Sequence, residues 1–377
     1  MKKGWKGKKL GDVIQLEYGK PLPDSSRKSN GKYPVYGANG EKNRSDEYYY
    51  DKPSIIVGRK GSAGEINLTE RRFWPLDVSY FVTFDDKEYD LRFLYYLLSN
   101  LELPKLAKGV KPGINRNEVY SIVVNIPPLP EQKRIVAILD ESFTALATGK
   151  ANAEKNLENT RELFESYAES IFANLVKGWE EKRLEDVTSE MLTGPFGSTL
   201  HKSDYIADGI PVVNPQNIIN GEIVSLQKTM VDQKTKKRLS KYILQERDIV
   251  IARRGEMGRC AIVTKQQVGW LCGSGSFVIR IKKDIDARYL VFFLSSAKVK
   301  NILQKGSVGT TMDNLNQSIL AEIPIPLPRL TEQRAIVAKL DALSAETKRL
   351  DIIYQQKLTS LEELKKSLLR KAFEGEL

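Results

Sequence analysis

The chain has 377 residues, of which 41% are hydrophobic and 28% are charged. This composition excludes a disordered chain and a fibrous protein, and the length favours two globular domains with connecting structure. The formal net charge of +11 favours a polyanionic partner, because lysine and arginine neutralise phosphates, but it does not by itself establish one.

The N-terminal segment is basic, but no apolar stretch follows it, and nowhere do about 18 or more apolar residues run together. The two cysteines, Cys260 and Cys272, have no histidine or cysteine companions at the spacing of a metal site. We therefore expect no membrane partner, no zinc site and no disulfide framework, and we expect the protein to work in a reducing cytoplasm.

The sequence is a tandem duplication. A motif that begins at Trp5 (WKGKKLGDV) returns at Trp179 (WEEKRLEDV), 174 residues later. The offset grows to 201 residues at Glu131 and Glu332 and then stays constant for about 40 residues. A growing offset indicates loops that accept insertions, whereas a constant offset indicates a helix whose register matters. Each copy is therefore predicted to be a loop-rich head followed by a rigid helix.

The heads are predicted to have mixed α/β structure. Residues 54–57 (SIIV) and 248–251 (DIVI) have the composition of buried strands, and each run is followed by a glycine turn. Residues 93–98 and 289–294 have the composition of short buried helices.

A helix of more than about 40 residues is predicted after each head. Proline-rich segments at 126–130 and 323–328 impose extended backbone before each helix. Within each helix, seam residues recur at spacings of four and three, as in a coiled coil. The two seams can pack against each other, most simply antiparallel; the alternative is that each helix belongs to the core of one domain. The first seam is Ala153, Leu157, Thr160, Phe164, Tyr167 and Ile171, and the second is Ile336, Leu340, Leu343, Thr347, Leu350, Tyr354, Leu358, Leu361 and Leu368.

These patterns predict an α+β protein in which two similar mixed α/β heads are joined by two long antiparallel coiled-coil helices and are related by a pseudo-two-fold axis. The predicted boundaries are 1–128 for the first head, 129–175 for the first helix, 176–328 for the second head and 329–377 for the second helix.

Two copies of a proline-rich segment followed by Glu-Gln and an apolar helix, PPLPEQKRIVAILD and PLPRLTEQRAIVAKLD, carry a family resemblance. The segments IIVGRKGSAG and IVIARRGEMG, and the opening of the second head, LTGPFGSTLHKSDYIADGIPVVNPQNI, add to it. Over essentially its whole length, the chain resembles the specificity subunits of type I restriction-modification enzymes. The first head departs from the pattern at residues 16–24, a short version of residues 192–204, so its DNA-facing loops are harder to place.

The resemblance implies two target recognition domains, each of which recognises one half of a bipartite target in double-stranded DNA. It also implies that the helices fix the distance between the halves, and that two modification subunits and the restriction subunits assemble with the chain. Methyl transfer and cleavage, with S-adenosylmethionine, ATP and magnesium, would belong to those partners, so this chain is expected to hold no cofactor.

The residues independently indicate a protein without a catalytic site. The nearest string to the Asn/Asp-Pro-Pro-aromatic motif of amino methyltransferases is residues 214–217 (NPQN), which differs at two positions, and no P-loop motif is present. His201 has no obvious catalytic companion and is better explained as a solvated loop residue. Two alternatives stay open: a self-sufficient DNA methyltransferase or nuclease, and a structural coiled-coil scaffold.

The strongest candidates for DNA contact are two glycine-ended turns, Arg59-Lys60-Gly61 and Arg253-Arg254-Gly255. Glycine lets the backbone approach a phosphate, and arginine can bind phosphate or recognise guanine. The alternative is that these turns are only solvated, or that the arginines brace the fold. Weaker candidates are Lys20, Lys111, Lys202, Arg259 and the basic run 234–238.

The start of each long helix is a candidate docking site for a partner. Glu131-Gln132 and Glu332-Gln333 occupy equivalent first turns, where the helix dipole favours a carboxylate. Capping and docking explain Glu131 better than a nuclease triplet with Lys133, because the second copy has arginine at the position of that lysine. Just before these helices, residues 108–116 and 305–316 form loops that suit contact with DNA or with a partner.

Overall fold

The computed structural model describes residues 4–173, 178–195, 199–226, 229–255, 258–306 and 315–377, which fall into two units. One unit comprises Met1–Lys155 with Gln355–Leu377, and the other comprises Asn156–Tyr354. Each unit thus contains one head and a part of each long helix. No helix in the described ranges is long and apolar enough to pass through a lipid bilayer.

In the first repeat, short strands precede the helices. Its elements are, in chain order, β1 (Lys6–Lys9), β2 (Gln15–Tyr18), β3 (Tyr33–Gly37), β4 (Gly40–Ser45), β5 (Ser54–Gly58), β6 (Ile66–Thr69), β7 (Trp74–Pro75), β8 (Ser79–Thr83), α1 (Leu91–Asn100), α2 (Arg116–Tyr120), β9 (Val123–Ile126) and α3 (Leu129–Ala173). Strands β2, β8, β5 and β6 form an antiparallel sheet in that order. Strand β3 lies between β4 and β7 in a smaller sheet, in which β3 and β7 are parallel.

The second repeat follows the same order with more elements between the matched ones. They are β10 (Glu180–Arg183), α4 (Leu184–Val187), β11 (Thr188–Thr193), β12 (Tyr205–Ile206), β13 (Ile210–Val213), β14 (Ile218–Ile219), β15 (Glu222–Ile223), β16 (Met230–Val231), α5 (Gln233–Arg238), β17 (Ile249–Ala252), β18 (Cys260–Ile262), β19 (Leu271–Cys272), β20 (Ser276–Ile281), α6 (Ala287–Leu294), α7 (Ala297–Gly306), α8 (Gln317–Ala321), β21 (Pro324–Leu327) and α9 (Leu330–Glu374). Strands β11, β20, β17 and β18 form the sheet equivalent to that of the first head.

The strands and short helices predicted in the heads are confirmed. Strands β5 and β17 contain the two predicted apolar runs, and every residue in both strands is buried. Helices α1 and α6 contain the predicted helical segments and bury their apolar faces in the two largest hydrophobic cores. The mixed α/β structure of each head is therefore confirmed.

The second head contains a larger accessory sheet with a small core of its own. Strands β12, β16, β13 and β19 form this sheet in that order. The parallel pairing of β13 with β19 repeats the pairing of β3 with β7 in the first head. The residues that enlarge the second copy therefore extend a framework that both heads possess. The small core of the accessory sheet consists of Leu200, Val212, Val231, Leu239 and Leu271.

The long helices α3 and α9 are antiparallel within each unit. Residue numbers rise along one helix as they fall along the facing one, which confirms the predicted antiparallel packing. The contacts are Lys150–Glu362 at 2.9 Å and Lys365 Nζ to the Phe143 ring at 5.4 Å in the first unit, and Arg161–Asp351 at 3.1 Å with Phe172 and Leu340 in one hydrophobic cluster in the second.

Burial along the helices follows the predicted seams with one correction. All nine predicted seam residues of α9 are buried or partly buried, and so are those of α3 apart from Tyr167. Tyr167, predicted to lie in the seam, is exposed, and Ala168 is buried in its place. The spacing changes because Ala168 and Phe172 face the hydrophobic core of the second unit, to which α6 also contributes.

An aromatic residue near the end of each long helix completes the core of a head. In the second unit, Phe172 of α3 packs edge-on against Tyr289 and Phe293 of α6, with ring centroids 5.7 and 5.5 Å apart. In the first unit, Phe373 of α9 packs edge-on against Phe93 of α1 at 5.4 Å. Phe172 and Phe373 are equivalent residues of the duplication. Each core therefore includes the end of the helix that begins in the other unit.

A buried glutamine at the start of each long helix ties that helix to its head. The Gln132 amide nitrogen donates to the carbonyls of Pro127 at 2.9 Å and Glu88 at 3.0 Å, and its oxygen accepts from the Asp90 backbone N–H at 2.9 Å. Asp90 is the N-cap of α1, so the amide joins two helix starts.

Gln333 makes the equivalent bonds in the second unit, donating to the Pro328 carbonyl at 2.9 Å and accepting from the Asp286 N–H at 2.8 Å. Both glutamines are 1% exposed. The predicted docking role is therefore wrong for Gln132 and Gln333, because their amides are buried and bonded inside the fold.

We predict that Gln132→Ala loosens the first head and leaves the second unchanged. The substitution leaves the Asp90 N–H and two carbonyls buried without a partner, which costs about 1 to 3 kcal/mol for an unsatisfied group. Hydrogen exchange followed by mass spectrometry should show faster exchange in α1 and normal exchange in α6.

Two variants serve as controls. Gln333→Ala should show the reverse pattern, with faster exchange in α6 only, and Lys133→Ala, at an exposed neighbouring position, should change neither helix. Normal protection of α1 in Gln132→Ala would contradict the role assigned to the buried amide.

Candidate nucleic-acid interface

The first predicted contact turn directly follows β5, the buried strand. The backbone N–H groups of Arg59 and Lys60 both donate to the Val78 carbonyl, at 2.9 and 3.1 Å. Gly61 has a φ of +82° and no atom within 4 Å of the place where a Cβ would lie. The turn thus needs glycine for its conformation and is open on that side, as an approach to a phosphate requires.

The loop at residues 108–116 is bonded to this turn. The N–H of Gly61 donates to the Pro112 carbonyl at 2.8 Å, and the N–H of Ile114 donates to the Arg59 carbonyl at 3.1 Å. Lys111 is exposed in this loop. The structure therefore brings together two segments that sequence reasoning treated separately, and both contribute cations to one surface.

The second turn repeats this arrangement. The N–H of Arg253 donates to the Gly275 carbonyl at 2.9 Å, and the N–H of Leu315 donates to the Arg253 carbonyl at 3.0 Å. Gly255 has a φ of +75° and open space at its Cβ position. Most of the loop predicted at 305–316 lies outside the described residues.

The two arginines of the second turn have different surroundings. The Arg253 guanidinium is half-buried and lies 5.4 Å from the Phe277 ring centroid. Burial, reinforced by the charge of Arg254, lowers the pKa of Arg253. Arg254 is exposed. Arg254 thus presents more of its side chain to solvent, whereas Arg253 also packs on the sheet.

A cleft of 420 Å³ lies beside the first turn and contains residues that sequence reasoning missed. The exposed ring of Tyr18, at the end of β2, lies near two guanidinium groups: Arg59 at 4.9 Å and Arg116 at 5.0 Å from the centroid. Arg59 also donates to the Asp77 carbonyl at 2.8 Å. Arg116 ends the predicted loop and Tyr18 lies in the shortened segment, but nothing local in the sequence pairs them.

Arg259 lies in another cleft. Its guanidinium donates to the Pro215 carbonyl at 3.4 Å, and it lines a 290 Å³ cleft with Asn220, Gly221 and Lys300. Neither Arg253 nor Arg254 lines this cleft.

Lys202 and the basic run 234–238 come together in the accessory sheet region. Arg238, the last residue of α5, donates to Asp204 at 2.8 Å and so joins that helix to the turn that contains Lys202. The backbone N–H of His201 and then the Arg238 guanidinium hold the pKa of the Asp204 carboxyl below its usual range. His201 itself is exposed.

Lys20 belongs to a basic and aromatic group in the first head. Its ammonium lies 4.8 Å from the Tyr49 ring centroid. In the same head, the Arg72 guanidinium lies 4.9 Å from the centroid of the Tyr48 ring. The Tyr48 and Tyr33 ring centroids are 5.0 Å apart. Cations beside tyrosines that are at least partly exposed suit contact with nucleic acid, but Lys20 does not line the cleft of Tyr18.

At the helix starts, the two glutamates differ. Glu131 forms two hydrogen bonds with Arg134, at 2.7 and 2.9 Å, while Glu332 is exposed. Arg134 also donates to the Leu377 carbonyl at 2.7 Å. The docking role of Glu131 and Glu332 stays a prediction.

The cysteines are buried residues of the second head. Burial raises the pKa of Cys260 to about 11 and also raises that of Cys272. A thiol with a raised pKa is a poor nucleophile and a poor metal ligand. Within the described ranges, histidine, cysteine and acidic residues form no group of three that could hold a metal ion.

Known proteins are similar to this chain in sequence and in fold. A family model described as the type I restriction modification DNA specificity domain matches residues 2–158 and again residues 176–362. The chain is 25% identical to the type I restriction enzyme MjaVIII specificity subunit of Methanocaldococcus jannaschii, over 99% of this chain and 93% of the relative. It is 22% identical to the EcoDI specificity subunit of Escherichia coli, over 99% and 88%.

Two solved structures match the fold along the whole chain. A chain from a structure of the type I R-M system matches with a TM-score of 0.78 at 19% identity, covering 100% of this chain and 99% of that one. The HsdS subunit of Thermoanaerobacter tengcongensis matches with a TM-score of 0.62 at 19% identity, covering 100% and 98%.

Proposed function

The chain belongs to the family of type I restriction-modification DNA specificity proteins, and from this membership we propose that each head recognises one half of a bipartite DNA target through its arginine turn. The protein is a DNA-recognition subunit, and the catalytic steps belong to other subunits of the system. Neither a self-sufficient enzyme nor a structural scaffold finds support among the relatives.

One observation carries the proposal: the duplication places a cationic, glycine-ended turn at the same point of both heads. In each head, the turn follows the buried central strand, and its first arginine accepts a backbone hydrogen bond from the segment before a short helix. Two equivalent cationic turns in one chain suit a target made of two half-sites.

The type I system includes modification and restriction subunits with which a specificity subunit acts on DNA. We propose that two modification subunits bind this chain, one for each repeat, near Glu131 and Glu332 at the starts of the long helices. S-adenosylmethionine, ATP and magnesium would be held by those partners, and the assembly would act in the cytoplasm. Equivalent positions in the two repeats support two copies of the same partner.

We predict that replacing Arg253 and Arg254 together with alanine weakens DNA binding through one half-site only. If the turn contacts phosphates, affinity falls for all sequences and the salt slope drops by about one unit per contact; if it recognises bases, discrimination at one position falls by about 1 to 3 kcal/mol. The measurement is binding by the full chain with its modification subunit, combined with sequencing of methylated DNA.

A matched control removes two other exposed cations of the same head, Lys265→Ala with Lys283→Ala. This variant should keep both half-sites and most of the affinity. If a folded variant without Arg253 and Arg254 kept the parental affinity and salt dependence, the turn would be solvated and would not contact DNA.

We also propose that the long helices set the spacer between the half-sites. Inserting four residues near positions 148–153 of α3 would lengthen it by up to about 6 Å at 1.5 Å per residue. Because DNA rises about 3.4 Å per base pair, the preferred spacer should grow by about one base pair, or two at most. One is favoured, since only one partner of the antiparallel pair is extended and fraying absorbs part of the length.

The test is to map methylated sites for the parent and the insertion variant, each with its modification subunit. A control insertion of four residues after Asp86, in an exposed turn before α1, should leave the spacer unchanged. An active α3 variant that keeps the parental spacer, or that changes the half-site bases, would show that the helices do not measure the distance.

A further inference from the structure

The duplication allows the cleft beside Arg59 to be compared with its counterpart in the second head. Tyr18 and Thr193 are equivalent, because each pairs with the residue that lies under the arginine of its head: Tyr18 with Tyr80, and Thr193 with Phe277. Each is followed by a glycine whose N–H donates to an equivalent serine carbonyl, at 3.1 and 2.9 Å.

Arg116 and Gln317 are equivalent in the same way. Each is the first residue of a short helix, α2 or α8, and each follows an asparagine that caps that helix. The trio of Tyr18, Arg59 and Arg116 in the first head therefore corresponds to Thr193, Arg253 and Gln317 in the second.

In the first head, this trio concentrates positive charge. Two guanidinium groups lie about 5 Å from one exposed tyrosine ring, and Lys60 lines the same cleft. Among the residues that the structure describes, no carboxylate forms an ion pair with Arg59 or Arg116. The nearby Glu118 is paired with Lys108 at 2.6 Å. Cations held close together without a counter-ion favour the binding of an anion.

In the second head, the equivalent groups form a neutral, closed pair. The Thr193 hydroxyl donates to the Gln317 side-chain oxygen at 2.7 Å, and the Gln317 amide donates to the Met191 carbonyl at 3.1 Å. These bonds fill the place that Tyr18 and Arg116 occupy in the first head. Gln317 therefore supplies no guanidinium at the position where Arg116 supplies one in the first head.

Resting on the proposed function, we propose that the cleft of Tyr18, Arg59 and Arg116 binds one backbone phosphate of the first half-site, with the help of a guanidinium that Gln317 cannot supply at the equivalent position of the second head. A phosphate accepts hydrogen bonds from several directions, so it can use both guanidinium groups. The edge of one guanine accepts a single guanidinium fork, which would leave the other arginine without an acceptor. Tyr18 is a positioning residue, because its ring holds both arginines.

The test gives the first head the residue of the second: Arg116→Gln in the full chain with its modification subunit. Loss of one phosphate contact should reduce the slope of log affinity against log salt by about 0.9 and weaken binding in 0.1 M salt by about eightfold. The methylated sequence should stay the same in both half-sites. Arg71→Gln, which removes an exposed arginine of the same head outside the cleft, should leave the salt slope within error of the parent.

A second pair of variants tests the tyrosine. Tyr18→Thr should lose part of the salt dependence, and Tyr18→Phe should restore it, because phenylalanine keeps the aromatic face that holds the guanidinium groups.

The outcomes separate the cleft from the proposed function. A parent complex that methylates no bipartite site would overturn the proposed function itself. A parent that methylates such a site, together with an Arg116→Gln variant that behaves like Arg71→Gln, would overturn the phosphate site alone. Relaxed choice at one base of the first half-site in Arg116→Gln would overturn it in favour of base recognition.

Discussion

Phe172 and Phe373 fill the cores of the two heads from the ends of the long helices, and the arrangement of each unit depends on this packing. A buried phenylalanine contributes about 3 to 5 kcal/mol relative to alanine, which is a large part of the stability of one domain. The packing also matches the two helices in length, because when one helix alone is lengthened, fraying or bulging must absorb the difference if both rings are to stay in their cores. The constant offset of 201 residues through both helices has this cause.

The same rigidity extends to the surface proposed to meet DNA. Each long helix starts at a glutamine bonded to the N-cap of a buried helix, and each head sheet carries its arginine turn on a fully buried strand. In both heads, a backbone hydrogen bond also joins the arginine turn to the segment before the next short helix. Sequence variation can therefore accumulate in the accessory sheet and loops while the position of the two turns within their heads is preserved.

The sequence predicted the features that depend on local pattern. Continuous apolar runs marked β5 and β17, seam residues at spacings of four and three marked the long helices, and glycines marked the two arginine turns. It mispredicted Gln132, Gln333 and Tyr167, because their burial or exposure is decided by partners far along the chain. A glutamine that follows a glutamate is expected at the surface. Gln132 is a core residue because it bonds to the backbone groups of Pro127 and Asp90. The pairing of Tyr18 with Arg116 was missed for the same reason: the two residues are adjacent only after folding.

The exchange of helix ends also sets the order in which the heads can mature during synthesis. Phe172 has already been made when the second head emerges from the ribosome, so that core can close as its own strands appear. The first head emerges earlier, yet it must wait for Phe373, which is translated after nearly all of the chain. Closing a contact between such distant residues is slow, and until it forms the side of Phe93 that packs against Phe373 lacks its partner.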